Sequence, residues 1–309
     1  AEGKSLNAQV TQYDIQLQGD EPIIDVQYQM LHFDGAVPRA DAIWPGGKLL
    51  EATDPWTNIA KGTRIENAYR YTNILPALQS NLGYRLEADV SLEFNTRLKK
   101  FTFDTNQQLE DPSAGDFDYA NRFQPRFGDG KDTKQGPQDV SFDFDFYLLK
   151  EGSEIRQKVA LKNFWVDVVD LDTPHDNPNH EFVSIPGLNL ASNEDGNSSA
   201  AIVYTLPGGD GNPGEQGFVD GQKTDGTKNL IKVVADSGHA KFLGSSKWNV
   251  FHGQKFNEYK FSNHPAGSVL LDYREPVQNL KFNAGTTGKM HSGGGSGDNK
   301  VGGSRNLSF

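Results

Sequence analysis

Hydrophobic and polar residues alternate strictly over several stretches of the chain. The clearest stretch is DVSFDFDF, from Asp139 to Phe146, where the Phe side chains fall on one side and Ser or Asp on the other. A period of two residues is typical of a half-buried β-strand. Residues 163–169 and 269–273 predict two further strands. A single helix candidate covers Glu66 to Ile74, and Pro76 would end it.

The alternating pattern also indicates an internal duplication. Residues 89–104 (DVSLEFNTRLKKFTFD) match residues 268–283 (SVLLDYREPVQNLKFN) without a gap. Each copy predicts a strand, a short turn and a second strand, which together form a hairpin with one apolar face. A looser match relates residues 33–47 to residues 171–187. The first copy ends in Pro-Gly-Gly and the second in Pro-Gly.

These patterns predict an all-β protein with two tandem, homologous β-sandwich (jelly-roll-like) domains and extended terminal arms. The 33 glycines and 15 prolines fit the many turns that such domains need. The predicted organisation is an N-terminal arm at 1–20, a first β-sandwich domain at 21–105, a linker or long loop at 106–136, a second β-sandwich domain at 137–284, and a Gly-rich C-terminal tail at 285–309.

Charge and composition restrict the partners. The chain carries 41 acidic and 30 basic residues and a formal net charge of −11, so that its surface should repel phosphate backbones and nucleic acid is not expected as a partner. No apolar run reaches the roughly 20 residues that a membrane helix needs, and no membrane insertion is expected. The absence of cysteine excludes cysteine nucleophiles and thiolate metal sites.

Catalytic motifs are missing from the sequence. Neither the Gly-x-Ser-x-Gly nucleophile elbow nor a His-Glu-x-x-His helix occurs. We therefore expect a non-enzymatic protein that requires no cofactor.

One acidic cluster is a candidate cation site. Asp170 and Asp172 alternate at the end of a predicted strand, and the following loop returns to Glu181. Ca²⁺ prefers several carboxylate and carbonyl oxygens around one point, so these three residues are the candidate ligands. A solvated acidic turn is the equal alternative.

Tryptophans are candidates for ligand or assembly contacts. Trp44 and Trp56 are next to Pro45 and Pro55 in predicted loops, which favours a surface contact, either between copies or with a sugar or peptide. Trp165 lies in an apolar strand, and we expect it to be part of the core.

The second half of the chain resembles a β-sandwich module of calcium-dependent bacterial adhesins. The resemblance rests on FDFDFYLL at 142–149, on KNFWVDVVDLD at 162–172 and on EFV at 181–183. It implies a sandwich, Ca²⁺ at Asp170, Asp172 and Glu181, and a glycan or peptide ligand bound by loops. The implied location is extracellular or at the cell surface.

A second resemblance, of architecture, is to the shell proteins of the diatom pyrenoid. It rests on the two matching hairpins, the lack of cysteine, the acidic charge and the terminal segments 1–20 and 285–309. It implies a structural protein that associates with itself into a sheet, tube or filament around a pyrenoid in the chloroplast stroma, the compartment of carbon fixation. This is the first functional hypothesis, and the adhesin module is its alternative.

Overall fold

The structure is a computed structural model, and most of the residues that it describes lie in β-strands. It describes residues 15–18, 21–29, 31–33, 35–51, 54–103, 123, 125–127, 137–168, 181–186, 202–205, 207–208, 228–229, 231–236, 239–244, 269–287 and 305–306. The described strands are β1 (Ile15–Gln18), β2 (Glu21–Asp25), β3 (Val37–Pro38), β4 (Trp56–Ile59), β5 (Arg64–Tyr71), β6 (Tyr84–Phe94), β7 (Leu98–Thr102), β8 (Arg126–Phe127), β9 (Gln138–Lys150), β10 (Arg156–Lys158), β11 (Ala160–Lys162), β12 (Phe164–Val168), β13 (Glu181–Pro186), β14 (Ile202–Thr205), β15 (Pro207–Gly208), β16 (Lys228–Asn229), β17 (Ile231–Asp236), β18 (His239–Gly244), β19 (Val269–Tyr273), β20 (Asn279–Thr286) and β21 (Arg305–Asn306). The prediction of an all-β protein is confirmed.

One sheet of nine strands dominates the molecule. Its strands follow the order β17-β18-β13-β20-β9-β6-β5-β3, and β10 pairs with β9 beside this path. The predicted strand at Asp139–Phe146 lies within β9, and its Phe side chains all face the core, as the alternation predicts. Period-two alternation therefore separates a buried apolar face of the sheet from an outer polar face.

Smaller sheets cover the apolar face of the nine-stranded sheet. They are β21-β8-β7-β4, β12-β19-β14 and β1-β2-β11, and a two-stranded ribbon is formed by β15 and β16. Phe142 of the large sheet contacts Phe101 of β7, with ring centroids 6.3 Å apart, and Phe123, with centroids 5.1 Å apart. Among the described residues, one cluster of buried apolar side chains connects the layers.

The two matching segments are not hairpins. Strand β6 belongs to the nine-stranded sheet, whereas β7 pairs with β4 and β8 in a different sheet. Likewise, β19 pairs with β12 and β14, whereas β20 joins the nine-stranded sheet. Each segment therefore crosses from one layer to the other, because its apolar side chains fill the space between the layers rather than one face of a ribbon.

The boundary predicted at 106–136 is crossed by the sheet. Strand β6, of the predicted first domain, pairs with β9, of the predicted second domain, from Tyr84↔Lys150 to Phe94↔Val140. Strand β2 pairs with β11, and β8 pairs with β21. Described strands of both predicted domains thus pair within the nine-stranded sheet and contribute to one buried cluster, and the duplication stays a prediction.

The helix lies elsewhere than predicted. Residues 64–71 form β5, whose register with β6 shifts between Ile65 and Tyr69. This irregularity, which includes Asn67 at a φ of 48°, breaks the period-two pattern and resembles helical spacing in the sequence. The described helix, α1 (Pro76–Leu82), begins at the proline that was expected to end one, because proline fits the first turn of a helix.

Candidate functional site

The structure describes the side chain of none of the three predicted Ca²⁺ ligands. Asp170 and Asp172 lie outside them, and of Glu181 the structure describes only the backbone, at the start of β13 opposite Thr286. Within the described part of the chain, no group of three or more His, Asp or Glu side chains is arranged to hold a metal ion. The Ca²⁺ site stays a prediction.

The rings of Trp44 and Trp56 lie in the core, so the predicted surface contact is not available to them. Their exposed fractions are 5% and 4%, and their ring centroids are 5.6 Å apart in an edge-to-face arrangement. The indole Nε1–H of Trp44 donates to the carbonyl oxygen of Arg39 at 2.8 Å. Both rings are buried against aromatic side chains of the nine-stranded sheet, Trp44 against Tyr69 and Trp56 against Phe94.

Trp165 shows the opposite behaviour, since it was expected in the core and is 53% exposed. On β12 it lies between Phe164, which is buried, and Val166, which packs against the core. Strict alternation places Trp165 on the outer face of the sheet. The period of two therefore predicts its exposure, although the apolar residues on either side indicate a core strand.

Tyr28 packs against Trp165 and is itself 39% exposed. The two ring centroids are 4.7 Å apart, and the planes are inclined by 38°. We call this pair, Tyr28 and Trp165, the aromatic platform. Large exposed apolar side chains that form a cluster mark interaction sites more often than isolated ones do.

A strained turn presents Tyr28. Gln27 and Tyr28 have φ values of 51° and 58°, a region that residues other than Gly, Asn and Asp rarely adopt. The turn is closed by the N–H of Gln29, which donates to the carbonyl oxygen of Val26 at 3.1 Å. The Tyr28 N–H donates to the carbonyl oxygen of Asn163 at 2.8 Å, which ties the turn to the residue before β12. Backbone strain of this kind is concentrated at functional sites.

A buried carboxylate lies beside the platform on the same face of the sheet. Asp272 is paired across the strands with Trp165, and it is almost completely buried. The hydroxyl of Tyr28 donates to its Oδ1 at 3.1 Å, and the Nε–H of Arg274 donates to its Oδ2 at 2.8 Å. Partial burial and the hydrogen bond to Asp272 raise the pKa of Tyr28, so its hydroxyl remains protonated and continues to donate.

A second polar cluster lies on the outer face of the nine-stranded sheet. The carboxylate of Asp89 is buried and accepts from three guanidinium groups, which we call the arginine cluster: Arg39, Arg70 at 2.8 Å and Arg156 at 2.8 Å. Arg156 also pairs with Glu87 at 2.9 Å. Arg39 also pairs with Asp41, so the three guanidinium groups are shared among three carboxylates. The cluster links β5, β6, β10 and the residue that follows β3.

Comparisons with known proteins give only distant similarities. No family model and no curated protein matches the chain. The crystal structure of the N-terminal domain of the Streptococcus gordonii adhesin Sgo0707 is similar at 10% identity and a TM-score of 0.37, over 96% of this chain and 65% of that one. The adhesin domain of PrgB from Enterococcus faecalis, bound to DNA, is similar at 15% identity and a TM-score of 0.36, over 81% of this chain and 68% of that one.

These values define neither a family nor a function. The described fold and site define the chain as a β-sandwich protein with an exposed aromatic platform. The described helix is also too short to cross a membrane.

Proposed function

We propose that this protein is a non-enzymatic binding module of the adhesion type, and that it holds its ligand on the aromatic platform. The observation that carries the proposal is the exposure of Trp165 and Tyr28 on a strained turn. Exposed aromatic side chains are enriched at binding sites because, on binding, they bury a large apolar area and lose little conformational entropy.

The geometry of the platform favours binding over catalysis. Asp272, the described carboxylate that accepts from Tyr28, is also paired with Arg274 and is buried. A general acid or base has to reach the reacting proton, and a nucleophile needs an adjacent base. The platform contains a preformed apolar surface but no exposed reactive group.

The shell hypothesis receives no support from the solved structures reported above, which are adhesin domains. A location at the cell surface belongs to the present proposal, as does dependence on Ca²⁺ at Asp170, Asp172 and Glu181. Nucleic acid stays an unexpected partner because of the net charge of −11.

The test is a binding screen with the full chain. Immobilised oligosaccharides, peptides and duplex DNA are probed with and without Ca²⁺, using wild type, Trp165→Ala and Ile155→Ala. Ile155 is 80% exposed and remote in sequence from the turn, so that it controls for the loss of any exposed apolar side chain. We expect wild type and Ile155→Ala to bind one ligand class, and Trp165→Ala to lose that binding. Wild type that binds nothing, or Trp165→Ala that binds as wild type does, overturns the proposal.

A further inference from the structure

The aromatic platform has the size and charge that suit a neutral sugar ring. Resting on the proposed function, we infer that its ligand is a carbohydrate and that a neutral pyranose stacks on the exposed part of Trp165. The inference depends on three properties of the described residues: the area of the platform, its charge balance, and the side chains that border it.

The area favours a small ligand. Stable protein–protein interfaces bury about 800 Å² on each partner. The platform consists of two side chains, of which one is 53% and the other 39% exposed. Two partly covered rings offer much less than such an interface needs, but their size corresponds to one or two sugar rings.

The charge balance favours a neutral ligand. The carboxylate of Asp272 is matched by the guanidinium group of Arg274 at 2.8 Å, and the hydroxyl of Tyr28 donates to its other oxygen. A cationic ligand would gain from an unpaired carboxylate next to the rings, and an anionic ligand from an unpaired guanidinium group. Because these two charges are matched, this described ion pair favours neither a cationic nor an anionic ligand.

The bordering side chains supply hydrogen bonds of both kinds. Gln27 and Gln29 are exposed on either side of Tyr28 in the same turn. A side-chain amide offers two donor hydrogens and an acceptor oxygen, and sugar hydroxyl groups need both. A pyranose has an apolar face of C–H groups and a rim of hydroxyl groups, so an aromatic ring flanked by amides matches it on both counts.

The backbone strain at Gln27 and Tyr28 has a use in this arrangement. A weakly held ring would lose conformational freedom when a sugar binds, and this loss reduces affinity. The hydrogen bonds from Tyr28 to Asn163 and to Asp272 fix the ring before the ligand arrives. The strained turn therefore preorganises the site.

The test is a calorimetric titration of the full chain with neutral cello-, xylo-, galacto- and manno-oligosaccharides, with sialyllactose as the acidic probe and a Lys-rich peptide as the basic one. We expect one neutral series to bind, and Trp165→Ala to weaken it at least ~10-fold. Tyr28→Phe keeps the ring and loses only the bond to Asp272, so we expect it to weaken binding less than Tyr28→Ala does. Ile155→Ala is the matched control, and thermal unfolding of each variant verifies that it folds.

The outcomes separate the two proposals. If the peptide or sialyllactose alone binds, and Trp165→Ala abolishes that binding, the platform is a binding site but the inference about neutral sugars is wrong. If a neutral oligosaccharide binds equally to wild type and Trp165→Ala, the inference is wrong because the sugar binds elsewhere. If wild type binds no probe, both the inference and the function proposed above are wrong.

Discussion

At the scale of single residues, Asp89 has the most demanding environment. Burial alone would raise the pKa of its carboxyl, but the hydrogen bonds from Arg70 and Arg156 outweigh this effect and lower the pKa. Removing Asp89 leaves three guanidinium groups to the two remaining carboxylates, Glu87 and Asp41. Breaking a buried ion pair in this way costs about 3–5 kcal/mol. We therefore expect Asp89→Ala to lower the free energy of unfolding by about that amount in urea denaturation, with Asp89→Asn between this variant and wild type.

The control is Asp41→Asn, because Asp41 pairs with the same Arg39 but is an exposed residue. We expect it to change stability by less than about 1 kcal/mol.

The pH dependence of the contribution of Asp89 to stability follows from the direction of its pKa shift. Since folding lowers the pKa of Asp89, its contribution is complete above the unfolded pKa of about 3.9 and is lost as the pH falls through the folded pKa. The difference between wild type and Asp89→Asn should therefore begin to shrink below about pH 4 and vanish only below the folded pKa; a constant difference down to strong acid would contradict this account.

At the scale of strands, the pairing of β20 with β9 depends on Gly285. A Cβ atom at this position would lie 1.9 Å from the backbone oxygen of Gln138 and 2.7 Å from its carbonyl carbon. Both obstacles are backbone atoms of the neighbouring strand, so that the strands have to separate to admit a methyl group. We expect Gly285→Ala to destabilise the protein by about 3 kcal/mol in urea denaturation.

Gly152→Ala is the matched comparison for this prediction. Gly152 lies in the turn between β9 and β10 at a φ of 77°, with open space around the position of a Cβ atom. The variant suffers only the strain of a left-handed conformation, about 1–2 kcal/mol. If the two variants unfold at the same urea concentration, the close approach of Gln138 does not limit the packing of β20.

The strands themselves could be predicted because alternation is local. The Phe side chains of β9 and the apolar positions of β6 and β20 all follow it. The pairing partners could not, because an apolar face fits a hairpin and a crossing between two layers equally well. For the aromatic platform, alternation alone would have placed Trp165 on the outer face. Tyr28 could not be predicted in this way, because it belongs to a turn with positive φ values, which no composition rule predicts for Gln-Tyr.

At the scale of the whole molecule, the shared sheet determines what can fold alone. Strand β6 is bonded to β9 along its full length of 11 residues, and β2 and β8 also find partners beyond the predicted linker. A chain that ends before β9 therefore leaves the edge of β6 that faces β9 unpaired and the apolar face of β5 and β6 partly uncovered. Both conditions oppose independent folding.

We expect residues 1–136 and 137–309, produced separately, each to lack a cooperative thermal transition in far-UV circular dichroism. Mixed or co-expressed, they should form a complex with the transition of the intact chain, since the ladders of β6 with β9 and β2 with β11 need both pieces. The intact chain cleaved by a protease within 106–136 is the control for loss of covalent continuity. If residues 1–136 alone melt cooperatively near the temperature of the intact chain, the halves are independent sandwiches and the ladder between β6 and β9 is a docking contact. If they fold only together, any ancient duplication has been followed by fusion of the two sheets into one.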